Sequence, residues 1–242
     1  PNITLSELLK EKKLSNKEVK DFIITNYQLK KETLVRLKAK FFKKSVLKHK
    51  IYKINYKGNE FALFMSRVGA PACIVSYEEI LAMGLEKLVI FGSCGVMDKN
   101  IEDLGIIIPS SAVRDEGTSY HYMEASDEIL VNEKYKDEFI EILRSHNYSY
   151  VEGKTWTIDA PYRETRDKVI KRKEQGCVCV DMECSAIFAL SKFRNKDFFQ
   201  FFYAADNLDS EVWDMRSLGC DVKISEKEKV IFLALELAKM MI

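Results

Sequence analysis

The succession of apolar and polar positions divides the chain into short segments that predict strands and helices in turn. "TLSELLKEKK" places apolar residues at helical spacing and predicts a helix over Leu5–Lys13, with Thr4 as N-cap and Glu7 at the capping-box distance. "DFIITNY" (21–27) predicts a first strand, and the spacing within "ETLVRLKAKFFKK" predicts a helix over Thr33–Lys44. "HKIYKINYKGNEFALFMSRV" (49–68) predicts a hairpin turning at Lys57-Gly58-Asn59. "APACIVSYEEILAMG" (70–84) predicts a helix with Pro71 in its first turn and Gly84 as its C-cap.

The rest of the chain keeps the same rhythm. "KLVIFG" (87–92) is apolar throughout, as in a strand buried on both faces, and breaks into "GSCG" (92–95). "LGIIIPSSAVR" (104–114) predicts a strand that Pro109 either ends or marks as an edge. A helix over 131–147, a strand over 150–159 and a helix over 163–176 follow. "CVCVDME" (177–183) is a strand that runs into the helix "CSAIFALSKFR" (184–194). A strand over 199–208 and a closing helix over 225–242 complete the set. With no linker-like stretch and no repeat, the expectation is one three-layer α/β domain over residues 1–242, its central mixed sheet flanked by helices.

Composition narrows the classes. With 242 residues, 47% of them hydrophobic, the chain can bury a substantial core. No apolar run reaches the ~18 residues of a membrane span, and the first residues lack the basic-then-apolar pattern of a secretory leader. Six cysteines in mostly apolar contexts are expected to be free thiols of a reducing compartment, which makes the expected location cytoplasmic. Cys177-x-Cys179 has no second pair at zinc-site spacing, so no metal is expected. The net charge of +1 hides an asymmetry: residues 1–57 carry 16 Lys or Arg against 5 Asp or Glu, and the remainder 22 against 32. A basic arm suits nucleic acid. Here the lysines alternate with apolar residues at helical spacing, so a solvated face is the expectation and no nucleic-acid partner is expected.

Candidate chemistry gathers at strand ends, where open α/β sheets bind ligands. Gly92-Ser93-Cys94-Gly95 offers backbone N–H groups and a hydroxyl without bulk, either an anion-binding nest or a tight structural turn. Glu183, at a strand-to-helix junction, suits either two vicinal sugar hydroxyls or the helix dipole, and Met182 beside it suits the floor of a sugar or base. Asp206 ends a very apolar strand; it suits either proton donation, with Arg216 to orient it, or the cap of a turn. Trp156 and Tyr162 either stack on a planar base or belong to the core. Arg114 and His121 flank the loop "RDEGTSYHY", where His121 reaches a sugar hydroxyl or a neighbouring subunit, or braces the loop. An anion nest, a sugar-gripping carboxylate and a proton-donating aspartate together describe cleavage of an N-glycosidic bond.

From about residue 60 onward the chain resembles the nucleoside phosphorylases, the family of hexameric purine nucleoside phosphorylases, uridine phosphorylases and related nucleosidases. The segments that carry the resemblance are "GSCG" (92–95), "VRDEGTSYHY" (113–122), "TWTIDAPY" (155–162), "VDMECSA" (180–186) and "AADN" (204–207). It implies phosphorolysis of a purine or uridine nucleoside, with inorganic phosphate as co-substrate and no cofactor. It also implies a homo-oligomer, a dimer or a trimer of dimers, in which one subunit completes its neighbour's site. The resemblance implies Ser93 as the phosphate-binding hydroxyl, Met182 and Glu183 as the ribose pair and Trp156 as the base-pocket aromatic. From the residues themselves, Gly92 and Arg67 join the expected phosphate site, His121 the ribose site, and Tyr162 and Arg166 the base site. Asp206 is the implied acid, with Arg216 as its helper. "VRDEGTSYHY" resembles the uridine-specific members, whereas Asp206 points to purines and the uracil-reading positions hold Thr165 and Asp167. Ile90 stands where the family carries a phosphate-binding arginine, which leaves Arg67, Lys30 or Arg36 to supply the charge. Without such a charge, hydrolysis or nucleoside binding without turnover becomes the alternative.

Overall fold

In a computed structural model of the chain the described residues are 21–25, 36–44, 50–218 and 223–242. The helix expected at Leu5–Lys13 lies outside them, as do Lys30 and Cys220. The described strands are β1 (Asp21–Thr25), β2 (Lys40–Lys44), β3 (Lys50–Tyr56), β4 (Asn59–Met65), β5 (Lys87–Val96), β6 (Ile106–Asp115), β7 (Glu128–Leu130), β8 (Tyr150–Ile158), β9 (Cys177–Asp181) and β10 (Asp197–Asn207). The helices are α1 (Ala70–Ala82), α2 (Lys136–Ser145), α3 (Arg166–Glu174), α4 (Cys184–Arg194) and α5 (Ile224–Met241).

The strands form one mixed sheet in the order β10-β6-β8-β9-β5-β1-β4-β3-β2. Because β10 also pairs with β5, five strands close into a barrel-like ring; β1, β4, β3 and β2 extend from it, and β7 adds to the edge of β6. Helices cover both sides. Ile74, Tyr77 and Ile80 of α1 and Ile187 and Leu190 of α4 bury against one face. Phe139 and Leu143 of α2 pack with Leu235 and Leu237 of α5 against the other. The three-layer α/β architecture expected from the alternation is therefore the observed one.

Local differences have identifiable causes. The helix expected over Thr33–Lys44 gives way to strand β2, which pairs antiparallel with β3 from Lys40↔Lys53 to Lys44↔Lys50. Ladder hydrogen bonds to the next strand override the helical spacing, and the lysines of "KFFKK" suit an edge strand. The hairpin turns where expected, with Lys57 and Gly58 at φ 48° and 86°, a two-residue turn of the kind that matches strand twist. The helix expected over 131–147 begins only at Lys136, because Asn132 and Tyr135 take left-handed backbone conformations. Strand β6 continues through Pro109 with a register shift against β8 before Ser111, and the Pro109 carbonyl accepts a hydrogen bond from Asn132 Nδ2 at 2.9 Å.

Candidate active site

The "GSCG" segment is neither a turn nor a left-handed nest: β5 runs straight through it to Val96, and neither Gly92 nor Gly95 has a positive φ. One edge of β5 is paired with β10 along its whole length. The other edge is shared, by β1 over Lys87–Ile90 and by β9 at Gly95–Val96. Between those pairings residues 91–94 have no strand partner on that edge among the described residues. The sheet splits there, and a cavity of about 1270 Å³ opens over the gap, with Gly92 and Ser93 half-buried in its wall. A Cβ built on Gly92 would meet nothing within 4 Å, so this glycine is required by no neighbouring group. Gly95 differs: a Cβ there would lie 2.5 Å from Leu208 Cδ1 and 3.1 Å from both Asp206 Oδ1 and Val180 Cγ1.

At the end of β9 two carboxylates divide the work. Asp181, buried, accepts from Thr155 and Thr157 hydroxyls at 3.0 and 2.8 Å and from the Glu183 and Cys184 amides at 2.7 and 2.6 Å. It therefore holds the N-terminus of α4, the role that the dipole reading gave to Glu183. Glu183 is left half-buried in the cavity wall, where its Oε1 accepts the Gly69 N–H at 2.6 Å from the start of α1. Burial and the nearby Asp181 carboxylate push the Glu183 carboxyl up to about 8, against the Gly69 hydrogen bond. Met182 lines the cavity beside it. Beneath these residues the buried Glu116 accepts from Ser185 Oγ at 2.8 Å and the Ser119 amide at 3.0 Å, while Ser185 N donates to Thr157 Oγ1 at 3.1 Å. One polar network thus binds "RDEGTSYHY", "TWTIDAPY" and "VDMECSA" together.

Asp206 closes the opposite side of the cavity. It is 9% exposed, and burial raises its carboxyl against the lowering effect of a hydrogen bond from Trp213. That bond runs from Trp213 Nε1 to Asp206 Oδ2 at 2.8 Å. Arg216, the expected helper, does not make it: its Nη1 donates to the Ile101 carbonyl at 2.7 Å and its Nε to Asp214 Oδ2 at 3.3 Å. Its charge still favours the Asp206 carboxylate through space. Glu164, also in the cavity wall, is pushed up to about 7 by burial and by the Asp206 carboxylate. Sequence reasoning missed both Trp213 and Glu164, which tertiary folding brings in from loops; the only trace was a tryptophan seven residues after Asp206.

The remaining candidates separate. Arg67, Tyr162 and Arg166 line the cavity, with Tyr162 fully exposed at its rim. Trp156 does not: it is 0% exposed, packs with Met97, Val113 and Val180, and donates to Asp115 Oδ2 at 2.9 Å. It belongs to the core, and the expectation that it stacks on a base is corrected. His121 is exposed, at the end of a short 3-10 turn, and is not among the lining residues of its own chain's cavity. Arg114 braces the loop, with hydrogen bonds to Ser119 Oγ, Ser126 Oγ and the Glu124 carbonyl at 2.7–2.9 Å. Ile90 lines the cavity as an apolar residue, and Arg36 is paired with Glu228. Among the described residues the wall holds eight Asp or Glu against four Lys or Arg, of which Lys173 is paired with Asp209. No group of three or more His, Cys, Asp or Glu among the described residues is placed to hold a metal ion.

A split sheet with its cavity between the ends of β5, β9 and β10 can be compared with known proteins. The family model described as "Phosphorylase superfamily" matches residues 23–230. The chain belongs to that superfamily. Among superfamily relatives, the guanosine phosphorylase of Halorubrum lacusprofundi is 22% identical over 144 residues, covering 60% of each chain. A purine nucleoside phosphorylase DeoD-type 1 of Shewanella oneidensis is 24% identical, over 56% of this chain and 58% of the relative. The matched segments thus span about three-fifths of these relatives' length. Among solved structures, uridine phosphorylase from Vibrio fischeri superposes with a TM-score of 0.79 at 19% identity, covering 94% of this chain and 95% of that one. Purine nucleoside phosphorylase from Toxoplasma gondii does so at 0.78 and 15%, covering 93% and 92%. At such identities the superpositions establish the superfamily fold alone.

Proposed function

We propose that the protein cleaves the N-glycosidic bond of a nucleoside by phosphorolysis, with purine nucleosides as the preferred substrates. The observation that carries this reading is the convergence of Gly92–Ser93, Glu183 and Asp206 on one cavity at the split in the sheet. Phosphate sits against the open strand edge at Gly92 and Ser93, with Arg67 of the same cavity wall as the candidate cation. Glu183 grips the ribose hydroxyls over Met182. The base lies toward Asp206, between Tyr162 and Arg166. As the bond from the anomeric carbon to the base breaks, its electron pair stays on the base. Asp206 donates a proton to a ring nitrogen of the base, and a phosphate oxygen bonds to the anomeric carbon. The sugar's developing positive charge lies beside the phosphate, whose opposite charge stabilises it, while Glu183 holds the ribose from the other side. The assembly is a homo-oligomer, in which the exposed His121 reaches a neighbouring subunit's ribose.

Hydrolysis is the second reading. Ile90 and the excess of carboxylates favour it, because both weaken the hold on a dianion. A nucleoside panel with and without phosphate tests the proposal. Base release that needs phosphate is expected; equal release in phosphate-free buffer contradicts it, and binding without release supports a non-catalytic protein.

A further inference from the structure

Among the described residues Asp206 has one direct side-chain partner, and it is an unexpected one. After β10 the chain folds back on itself through a reciprocal backbone pair: Asn207 N to Asp214 O at 2.8 Å and Asp214 N to Asn207 O at 3.2 Å. That closure sets residue 213 against residue 206. Arg216 anchors the returning strand by holding Asp214 through both its backbone N–H and its Nε, and by reaching the Ile101 carbonyl. The Trp213 indole consequently meets Asp206 Oδ2 from the cavity wall, although 56% of the residue remains exposed.

An indole N–H can donate but cannot accept. We infer that Trp213 is a positioning residue for Asp206: by occupying Oδ2 as a donor it confines the transferable proton to Oδ1, and so fixes the oxygen from which the leaving base is protonated. The inference rests on the proposed role of Asp206 as acid. Arg216 then acts one step further out, by holding the hairpin that presents Trp213. Four other ionisable groups share the field of Asp206: Glu164 across the cavity, Asp214 and Arg216 on the hairpin, and the Cys94 thiol of β5.

Trp213→Phe keeps the ring and removes the donor. A carboxyl that can place its proton on either oxygen loses alignment, so kcat is expected to fall about tenfold with KM for nucleoside nearly unchanged. The alkaline limb of kcat/KM should move to higher pH, because the hydrogen bond that favours the carboxylate is gone. Trp213→His, whose ring N–H can donate, should recover much of the loss. Unchanged kcat and an unshifted limb in Trp213→Phe would overturn the inference.

A spectroscopic arm needs no turnover. The chain has two tryptophans, and the buried Trp156 emits as well, so the contribution of Trp213 is the part of the emission lost in Trp213→Phe. Its emission in the ligand-free protein should change as Asp206 titrates. That change should vanish in Asp206→Asn and in Trp213→Phe and persist in Glu164→Gln. A flat wild-type titration, or one that survives in Asp206→Asn, would overturn the contact itself. If wild type turned over no nucleoside, the proposed function would fall, and the emission arm would still decide whether Trp213 governs Asp206.

Discussion

The two glycines of "GSCG" should respond oppositely to the same methyl group. A Cβ on Gly92 meets no atom within 4 Å and the backbone there is not left-handed, so Gly92→Ala brings no clash and reduces the entropy of the unfolded chain. Stability should stay level or rise by up to ~1 kcal/mol, which for a chain of this size is about 2–4 °C in Tm. The methyl enters the proposed phosphate subsite, however. Displacing phosphate from one charge-assisted backbone hydrogen bond costs ~1.5–3 kcal/mol, or about 10- to 100-fold in kcat/KM for phosphate. Gly95→Ala places its Cβ 2.5 Å from Leu208 Cδ1 and 3.1 Å from Asp206 Oδ1 and Val180 Cγ1. Overpacking of this kind costs ~1–3 kcal/mol and here also pushes on the acid. Thermal denaturation paired with phosphate saturation kinetics separates the two. A Gly92→Ala protein with wild-type phosphate kinetics would refute the subsite, and one that unfolds would refute the claim that Gly92 is free of structural duty.

Three further outcomes follow from the site. Glu183→Gln should lower kcat/KM for nucleoside by about 100-fold or more if the side chain grips two hydroxyls, and near-wild-type kinetics would remove that role. The same carboxyl, raised from 4.5 to about 8, holds its proton in the folded protein where the unfolded chain has lost it. Its contribution to stability is full below about pH 4.5 and lost as pH rises to about 8, with Glu164 adding to the trend up to about 7. The ligand-free Tm should therefore decline less over that window in Glu183→Gln; an identical slope would contradict the assignment. Asp206→Asn should reduce turnover of inosine or adenosine more than that of uridine, measured by base release, and equal losses would undo the preference for purines. Trp156→Phe should lower Tm, because it leaves a gap in packed surroundings and the buried ring loses its bond to Asp115, while KM for nucleoside stays unchanged. A raised KM with an intact Tm would return Trp156 to the base site.

The architecture was legible because its signals are local and repeated. Apolar runs such as "KLVIF" and "FFQFFYAA", each followed by or preceded by an amphipathic stretch, need only short-range reading. Strand β2 was not legible, since "KFFKK" fits helical spacing until β3, the next strand, supplies a ladder. The end of β5 was misread for a similar reason. Glycine normally punctuates a strand, but the parallel pairing with β10 carries β5 through Gly92 and Gly95, joined at Gly95 by β9. Within the site, "DME" revealed two carboxylates but not their division of labour. Which one satisfies the α4 amides depends on the hydroxyls that Thr155 and Thr157 bring from β8. Glu164 and Trp213 reach the cavity through loop geometry that no spacing rule encodes.

The central claim is that this cavity transfers a glycosyl group from a base to phosphate. Phosphorus NMR of wild-type protein incubated with inosine, adenosine or uridine in phosphate buffer tests it most directly. The account predicts a new sugar 1-phosphate resonance that grows in step with free base, fastest with a purine nucleoside, and grows more slowly by about 100-fold or more when Glu183→Gln replaces the wild type. Free base released with ribose and no new phosphorus resonance would contradict it.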